Sequence, residues 1–222
     1  MDLIKLYSYW RSSAAYRVRI ALNLKELKYD YHSVHLTDGG GQQHQTQFHQ
    51  LNPQELVPVL VDGERVIRQS MAIIEYLEET YPDRGFMLMP PSPRERGRVR
   101  AIAQLIACDI HPINNLRVLD YLKEKFFITD AQREAWVQHW IGAGFVALED
   151  LLSKNPVTGE FCDGDVPTMA DCCLIPQVYN ARRFGVDMKP FPTITRIYER
   201  CMELPKFQTA APELQPDAPV AR

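Results

Sequence analysis

Arg11, Ser12 and Ser13 stand where one hydrophobic pattern ends and another begins, in YSYWRSSAAYRVRIAL over residues 7–22. A cation and two hydroxyls at the start of a helix suit an anion, because the first N–H groups of a helix lack partners and carry about half a positive charge. No nearby base would make either serine a nucleophile. Donation to a bound anion is the chemistry left, with plain helix capping as the structural alternative. A thiolate is such an anion: a free thiol of pKa about 8.5 is only about 3% ionised at neutral pH, and lowering it by about two units makes it mostly thiolate. The first cysteine of the chain is Cys108, so this thiol would belong to a ligand. A second candidate lies in LVPVLVDGERVIRQS, residues 56–70. Val57-Pro58 at a strand entry leaves backbone groups for an extended ligand if the bond is cis, or is an ordinary strand-entry proline. Gln69-Ser70 opens a further helix, where a carboxylate can accept from Ser70 and backbone N–H groups. In CDIHPINNLRVL, residues 108–119, His111 and Asn115 are four apart and share a helical face, with Pro112 expected to kink the helix beside them.

The elements that must position these groups are legible as patterns. Leu3 to Tyr9 alternates as a half-buried strand, and Ser13 to Leu24 carries apolar residues at helical spacing. Tyr29 to Leu36 alternates again, and Gln42 to Leu51 is helical or irregular. Val57–Val61 and Arg65–Ile67 flank the hairpin signal Asp62-Gly63, and Ser70 to Thr80 follows as a helix with Ser70 as its cap. The order βαβ then ββα is thioredoxin-like and implies a mixed sheet. PDRGFMLMPPSP, residues 82–93, holds four prolines and a glycine and marks a boundary. The expected division is an α/β thioredoxin-like domain at 1–83, a linker at 84–93 and an all-α domain at 94–222. The helices of that second domain are Arg94–Phe126, Asp130–Ser153, Thr168–Phe184 and Thr193–Glu203, followed by an extended proline-rich tail from Ala210.

Composition narrows the classes. The chain has 222 residues, 45% hydrophobic, a formal net charge of −3 and a pI near 6.1. That charge argues against a general nucleic-acid or anionic-membrane binder. No run of apolar residues is long enough for a membrane span, and the N-terminus lacks the pattern of a signal peptide. Five cysteines without a C-x-x-C pair suit a reducing, cytoplasmic setting. The six histidines form no ligand set, so no metal is expected.

SSAAYRVRIAL, LNPQELVPVL, RQSMAIIEYLEE and PTMADCCLIPQV together resemble cytosolic glutathione transferases, most closely the zeta class, over nearly the whole chain. The resemblance implies the glutathione transferase fold and a glutathione cofactor. Its γ-glutamyl carboxylate is then expected at Gln69 and Ser70, its cysteinyl backbone on Val57, its glycyl end at Gln43 and its thiol at Ser12 and Ser13. His111 and Asn115 become cofactor contacts on the same ground; alone, a packed histidine is the better reading of His111. Arg11, Arg117 and Arg183 are expected to hold the carboxylates of a dicarboxylate substrate, with Arg182 a rival for Arg183. Thr168–Asp171 matches the family's helix capping box. Arg17 and Arg19 read as anchors of the first helix through ion pairs. Ala14 departs from the usual Ser-Ser-Cys, which leaves glutathione as the nucleophile. A homodimer is implied, joined over the helices at Ser70–Thr80 and Arg94–Phe126.

The activity expected is glutathione-dependent cis–trans isomerisation of maleylacetoacetate, in which thiolate addition makes the double bond single, rotation follows and elimination returns the trans alkene. Maleylpyruvate is the near alternative: CDIHPINN is similar to enzymes acting on it, whereas RSS with Gln42-Gln43 is similar to those acting on maleylacetoacetate. A conjugating transferase and a non-enzymatic binding module of the same fold stay open.

Overall fold

The computed structural model describes residues 3–219; positions 1–2 and 220–222 of the expected domains lie outside it. The chain divides into two compact units, one running through Met89 and resuming at Met202, the other Pro90–Cys201.

The first unit is built on β1 (Ile4–Ser8), α1 (Ser13–Leu24), β2 (Tyr29–Ser33), α2 (Thr46–Leu51), β3 (Val59–Asp62), β4 (Arg65–Arg68) and α3 (Ser70–Thr80). Strand order is β2-β1-β3-β4, with β1 parallel to β2 and antiparallel to β3, and β3 antiparallel to β4. This is the expected mixed, thioredoxin-like sheet. Alternation along β1 buries Ile4, Leu6 and Ser8, and the Ser8 hydroxyl meets Arg19 of α1. On the other side Tyr9, Val34, Phe48, Val57 and Val59 form a second core cluster, which fixes the segment preceding β3.

Boundaries shift where backbone partners change. β2 stops at Ser33 rather than Leu36; Val34 N still reaches Ser8 O at 2.8 Å, and beyond it the His35 N–H donates to Gln42 Oε1 at 2.8 Å. β3 begins at Val59, after a proline that has no N–H to offer. The hairpin loop is Gly63-Glu64, since Asp62 pairs with Arg65; Gly63 takes the left-handed φ of 57° that the turn requires.

The second unit contains α4 (Pro93–Gln104), α5 (Leu116–Phe126), α6 (Asp130–Ser153), α7 (Met169–Arg183) and most of α8 (Pro192–Met202). α7 is its centre: from Met169 to Ala181 every residue but Tyr179 is buried. Its start is the expected capping box. Asp171 Oδ2 accepts from the Thr168 N–H at 2.8 Å, and Thr168 Oγ1 accepts from Ala170 N at 3.3 Å. Asp171 Oδ1 also accepts from Cys162 N at 2.9 Å, tying the incoming loop to the helix.

The single helix expected over Arg94–Phe126 is broken. After α4 come a π-helical turn at Leu105–Ile110 and a 3₁₀ turn at Pro112–Asn114 before α5 begins. Pro112 offers no N–H, and His111 N reaches back five residues to Ile106 O at 3.0 Å. Gly144 on α6 makes room for this irregular turn, since a Cβ there would fall 2.4 Å from Ile110.

The chain from Met202 on, read above as part of the helical half, packs with the first unit. It is no extended arm: α9 (Pro205–Gln208) contacts α1, and a 3₁₀ turn follows at Pro212–Leu214.

Candidate active site

At the corner after β1, Ser12 N donates to Tyr9 O at 3.0 Å, closing a turn. Ser12 then caps α1: its Oγ accepts from Ala15 N at 3.2 Å, and its carbonyl accepts from Tyr16 N at 2.8 Å. A hydroxyl that accepts in this way keeps its own proton, and among the described residues nothing takes it. Capping and donation to an anion are therefore compatible at Ser12 rather than alternatives. Ser13 is the first helical residue and is half-buried, as is Ala14. The Arg11 guanidinium stacks on Trp10, 5.3 Å from the ring centre.

At the start of α3, Gln69 occupies the cap position with φ 72° and makes no capping bond; its Nε2 donates to Gln54 Oε1 at 2.8 Å. Ser70 is the first helical residue, not the cap expected from sequence. The left-handed turn at Gln69 places Ser70 inside the helix, so its Oγ is not needed to hold the first turn. That oxygen accepts from Arg17 Nη1 at 3.2 Å. Arg17 can only donate, so the Ser70 O–H is left as a donor at the positive end of an 11-residue helix. Arg17 lies on α1, and both side chains are buried. The helix capped by Ser12 thus also orients Ser70.

The Val57–Pro58 bond is cis. Among the described residues neither the N–H nor the C=O of Val57 has a protein partner, which leaves an extended edge for a ligand's backbone. Gln43 is turned inward. Its Nε2 lies 3.2 Å from Leu36 O and 3.0 Å from His44 Nε2, and its Oε1 is buried without a partner. These contacts hold the side chain against the loop after β2.

In the second unit, His111 and Asn115 do not share a helical face. His111 ends the π-helical turn, while Asn115 is extended (φ −66°, ψ 148°) and caps α5, its Oδ1 accepting from Arg117 N at 3.2 Å. The break at Pro112 overrides the four-residue spacing. Trp136 Nε1 pins the connection through Ile113 O at 2.9 Å. Arg117 is exposed on the first turn of α5. Arg182 stacks on Tyr198 at 4.1 Å and Arg183 on Phe184 at 4.5 Å, both exposed at the end of α7.

Sequence reasoning assigned no site role to Arg17 and Arg19. Arg19 is fully buried and donates to Ala210 O at 3.0 Å, Ser8 Oγ at 3.3 Å, Tyr9 O at 3.4 Å and Trp10 O at 2.9 Å. Its bonds run to carbonyls and a hydroxyl, not to the expected ion-pair partner. The signal was present: two arginines inside the apolar run AAYRVRIAL must find many acceptors if that run is buried.

Residues 6–85 match the glutathione S-transferase N-terminal domain, and residues 130–204 match the glutathione S-transferase C-terminal domain. A probable maleylacetoacetate isomerase of Vibrio cholerae is 55% identical over 98% of this chain and 99% of its own length. The chain belongs to the glutathione S-transferase family. Among solved structures, the holo form of a maleylpyruvate isomerase, described as a bacterial zeta-class glutathione S-transferase, superposes with a TM-score of 0.93 at 49% identity, covering 97% of this chain and all of that one. A maleylacetoacetate isomerase from Methylobacterium extorquens with bound malonate and glutathione gives 0.91 at 41% identity, with 97% and all of the chains covered. The donors found in this glutathione S-transferase suit the tripeptide. The Ser70 hydroxyl at a helix start fits a carboxylate, the unpaired Val57 backbone fits a peptide, and the Ser12 proton fits a thiolate.

Proposed function

We propose that the chain is a zeta-class, glutathione-dependent cis–trans isomerase that converts maleylacetoacetate to fumarylacetoacetate. The observation that carries this reading is the Ser12 hydroxyl, which accepts the Ala15 N–H and keeps a proton to donate at the positive end of α1. Bound glutathione supplies a thiolate able to add reversibly to a conjugated double bond. Ser12, with Ser13 beside it, holds that sulfur as an anion. Gln69 and Ser70 take the γ-glutamyl carboxylate and Val57 pairs with the cysteinyl backbone. His111 and Asn115 are assigned to further glutathione contacts. Arg11, Arg117 and Arg183 are assigned to the substrate carboxylates and the developing enolate. Malonate in a relative that also holds glutathione supports a dicarboxylate pocket. Gln43, held in the loop after β2, is assigned to the glycyl end of glutathione.

Maleylpyruvate is the second reading, favoured by the 49% identical isomerase named for it. We place the enzyme in the cytoplasm as a homodimer; no helix among the described residues is long and apolar enough to cross a membrane, and light scattering should return about twice the 25.6 kDa chain mass. The deciding assay follows cis-to-trans conversion of both compounds, with and without glutathione, while glutathione concentration is monitored over many turnovers. Conversion that needs glutathione and leaves it unconsumed is expected, and the faster substrate identifies the physiological one. Stoichiometric loss of glutathione would reassign the chain to the conjugating transferases.

A further inference from the structure

Tyr9 to Ser12 lies between β1 and α1, outside both; the Ser12 N–H is met by Tyr9 O within the corner, but the backbone groups of Trp10 must find partners elsewhere. The C-terminal tail supplies the acceptor. Asp217 Oδ2 accepts from Trp10 N at 3.0 Å and from Ser33 Oγ at 3.1 Å, while Oδ1 accepts from Tyr31 O–H at 2.6 Å. On the opposite side of the same residue, Trp10 O accepts from Arg19 Nη2 at 2.9 Å. Arg19 also donates to Tyr9 O, the carbonyl that closes the Ser12 turn, and its Nε is held by Ala210 O of the tail. Both peptide groups flanking Trp10 are thus clamped by charged side chains, one on the tail and one seated against it. The loop contains no such partner of its own.

We propose that Asp217 is a positioning residue that holds the Trp10–Ser12 corner in register and thereby sets the ionisation of the thiol bound at Ser12. The proposal rests on the glutathione reading above. It touches neither cofactor nor substrate and acts through the Trp10 N–H, two residues from Ser12. Tyr31 completes the device: burial and the bond to Asp217 push its phenol pKa up, so the hydroxyl stays protonated and donates. Without Asp217 the Trp10 N–H loses its acceptor, and of the two clamps on the peptide groups flanking Trp10 only Arg19 remains. A displacement of about 1 Å suffices to cost about a hundredfold in rate at a site that depends on one aligned hydrogen bond.

The test uses full-length Asp217→Ala and Asp217→Asn. The ultraviolet absorbance of the thiolate in the enzyme–glutathione complex is titrated against pH, beside kcat and KM. For Asp217→Ala we expect the bound thiol pKa to rise by about one unit and kcat at pH 7 to fall about threefold, recovering most of the loss near pH 9, with KM for glutathione changed less than about twofold. Asp217→Asn, which offers one acceptor oxygen in place of two, should give a smaller rise in the same direction, and it decides alone if the alanine variant does not fold. Gln215→Ala removes tail bonds to Thr209 O and Ala211 O that do not reach the corner. It should lower Tm without moving the thiol pKa. A wild-type thiol pKa in the folded Asp217 variants, or an equal rise in Gln215→Ala, overturns the proposal. Absence of a bound thiolate in the unmutated enzyme would instead overturn the glutathione reading and the proposal with it.

Discussion

At Ser12 one oxygen accepts the Ala15 N–H while its proton remains available, and this double use predicts two separable effects of Ser12→Ala. Loss of the cap should cost about 1 kcal/mol of stability, read from denaturant unfolding. Loss of the donated hydrogen bond should lower turnover at pH 7 by about ten- to a hundredfold, with partial recovery as pH rises, because the thiol then ionises unaided. A pH–rate profile unchanged in shape would mean that Ser12 only caps. Ser70 follows a related logic with another partner. Arg17 takes an oxygen lone pair from behind, so the direction of the Ser70 proton is decided by a buried cation on a different helix.

At the level of elements, the irregular stretch between α4 and α5 shows how one proline redistributes function. Spacing alone put His111 and Asn115 on one face; the missing N–H of Pro112 and the π-helical turn before it give them separate tasks, one ending a turn and the other starting a helix. The start of α7 is held more firmly. Asp171 is fully buried among donors from Thr168 and Cys162, and burial raises its pKa above the usual 3.8 despite those bonds. Asp171→Ala should cost about 3 kcal/mol at pH 7, because two buried N–H groups lose their acceptor. A carboxyl whose pKa is raised on folding binds more protons in the native state, so its contribution is largest below 3.8 and declines as pH rises through the native value. Urea unfolding of both proteins across pH should therefore show their stability difference widening as pH falls through that window.

For the molecule as a whole, the chain's end serves its beginning. The segment from Met202 joins the first unit, where α9 lies on α1 and Asp217 reaches the corner after β1. Cysteine placement follows the same accounting. Cys162, Cys172, Cys173 and Cys201 are buried and Cys108 alone is exposed, and burial pushes the Cys162 and Cys201 thiols up. Brief alkylation of the native protein at pH 8 should leave Cys162, Cys172, Cys173 and Cys201 unmodified, and the unfolded chain should take up reagent at all five. Modification of any of these four before unfolding would contradict this burial.

Local chemistry was legible in the chain itself. Alternation and helical spacing place β1, α1, α3 and α6 within a residue or two, Thr168 and Asp171 announce their capping box, and Arg11-Ser12-Ser13 and Gln69-Ser70 mark two helix starts. These features depend on neighbours within a few residues, which sequence records directly. What only the tertiary structure decided involves partners far apart along the chain: Arg17 behind Ser70 across 53 positions, and Asp217 on Trp10 across 207. A buried donor or acceptor must find a partner, but residue type states only that need. Which group meets it is set by packing, and packing brings the tail to the corner that carries Ser12.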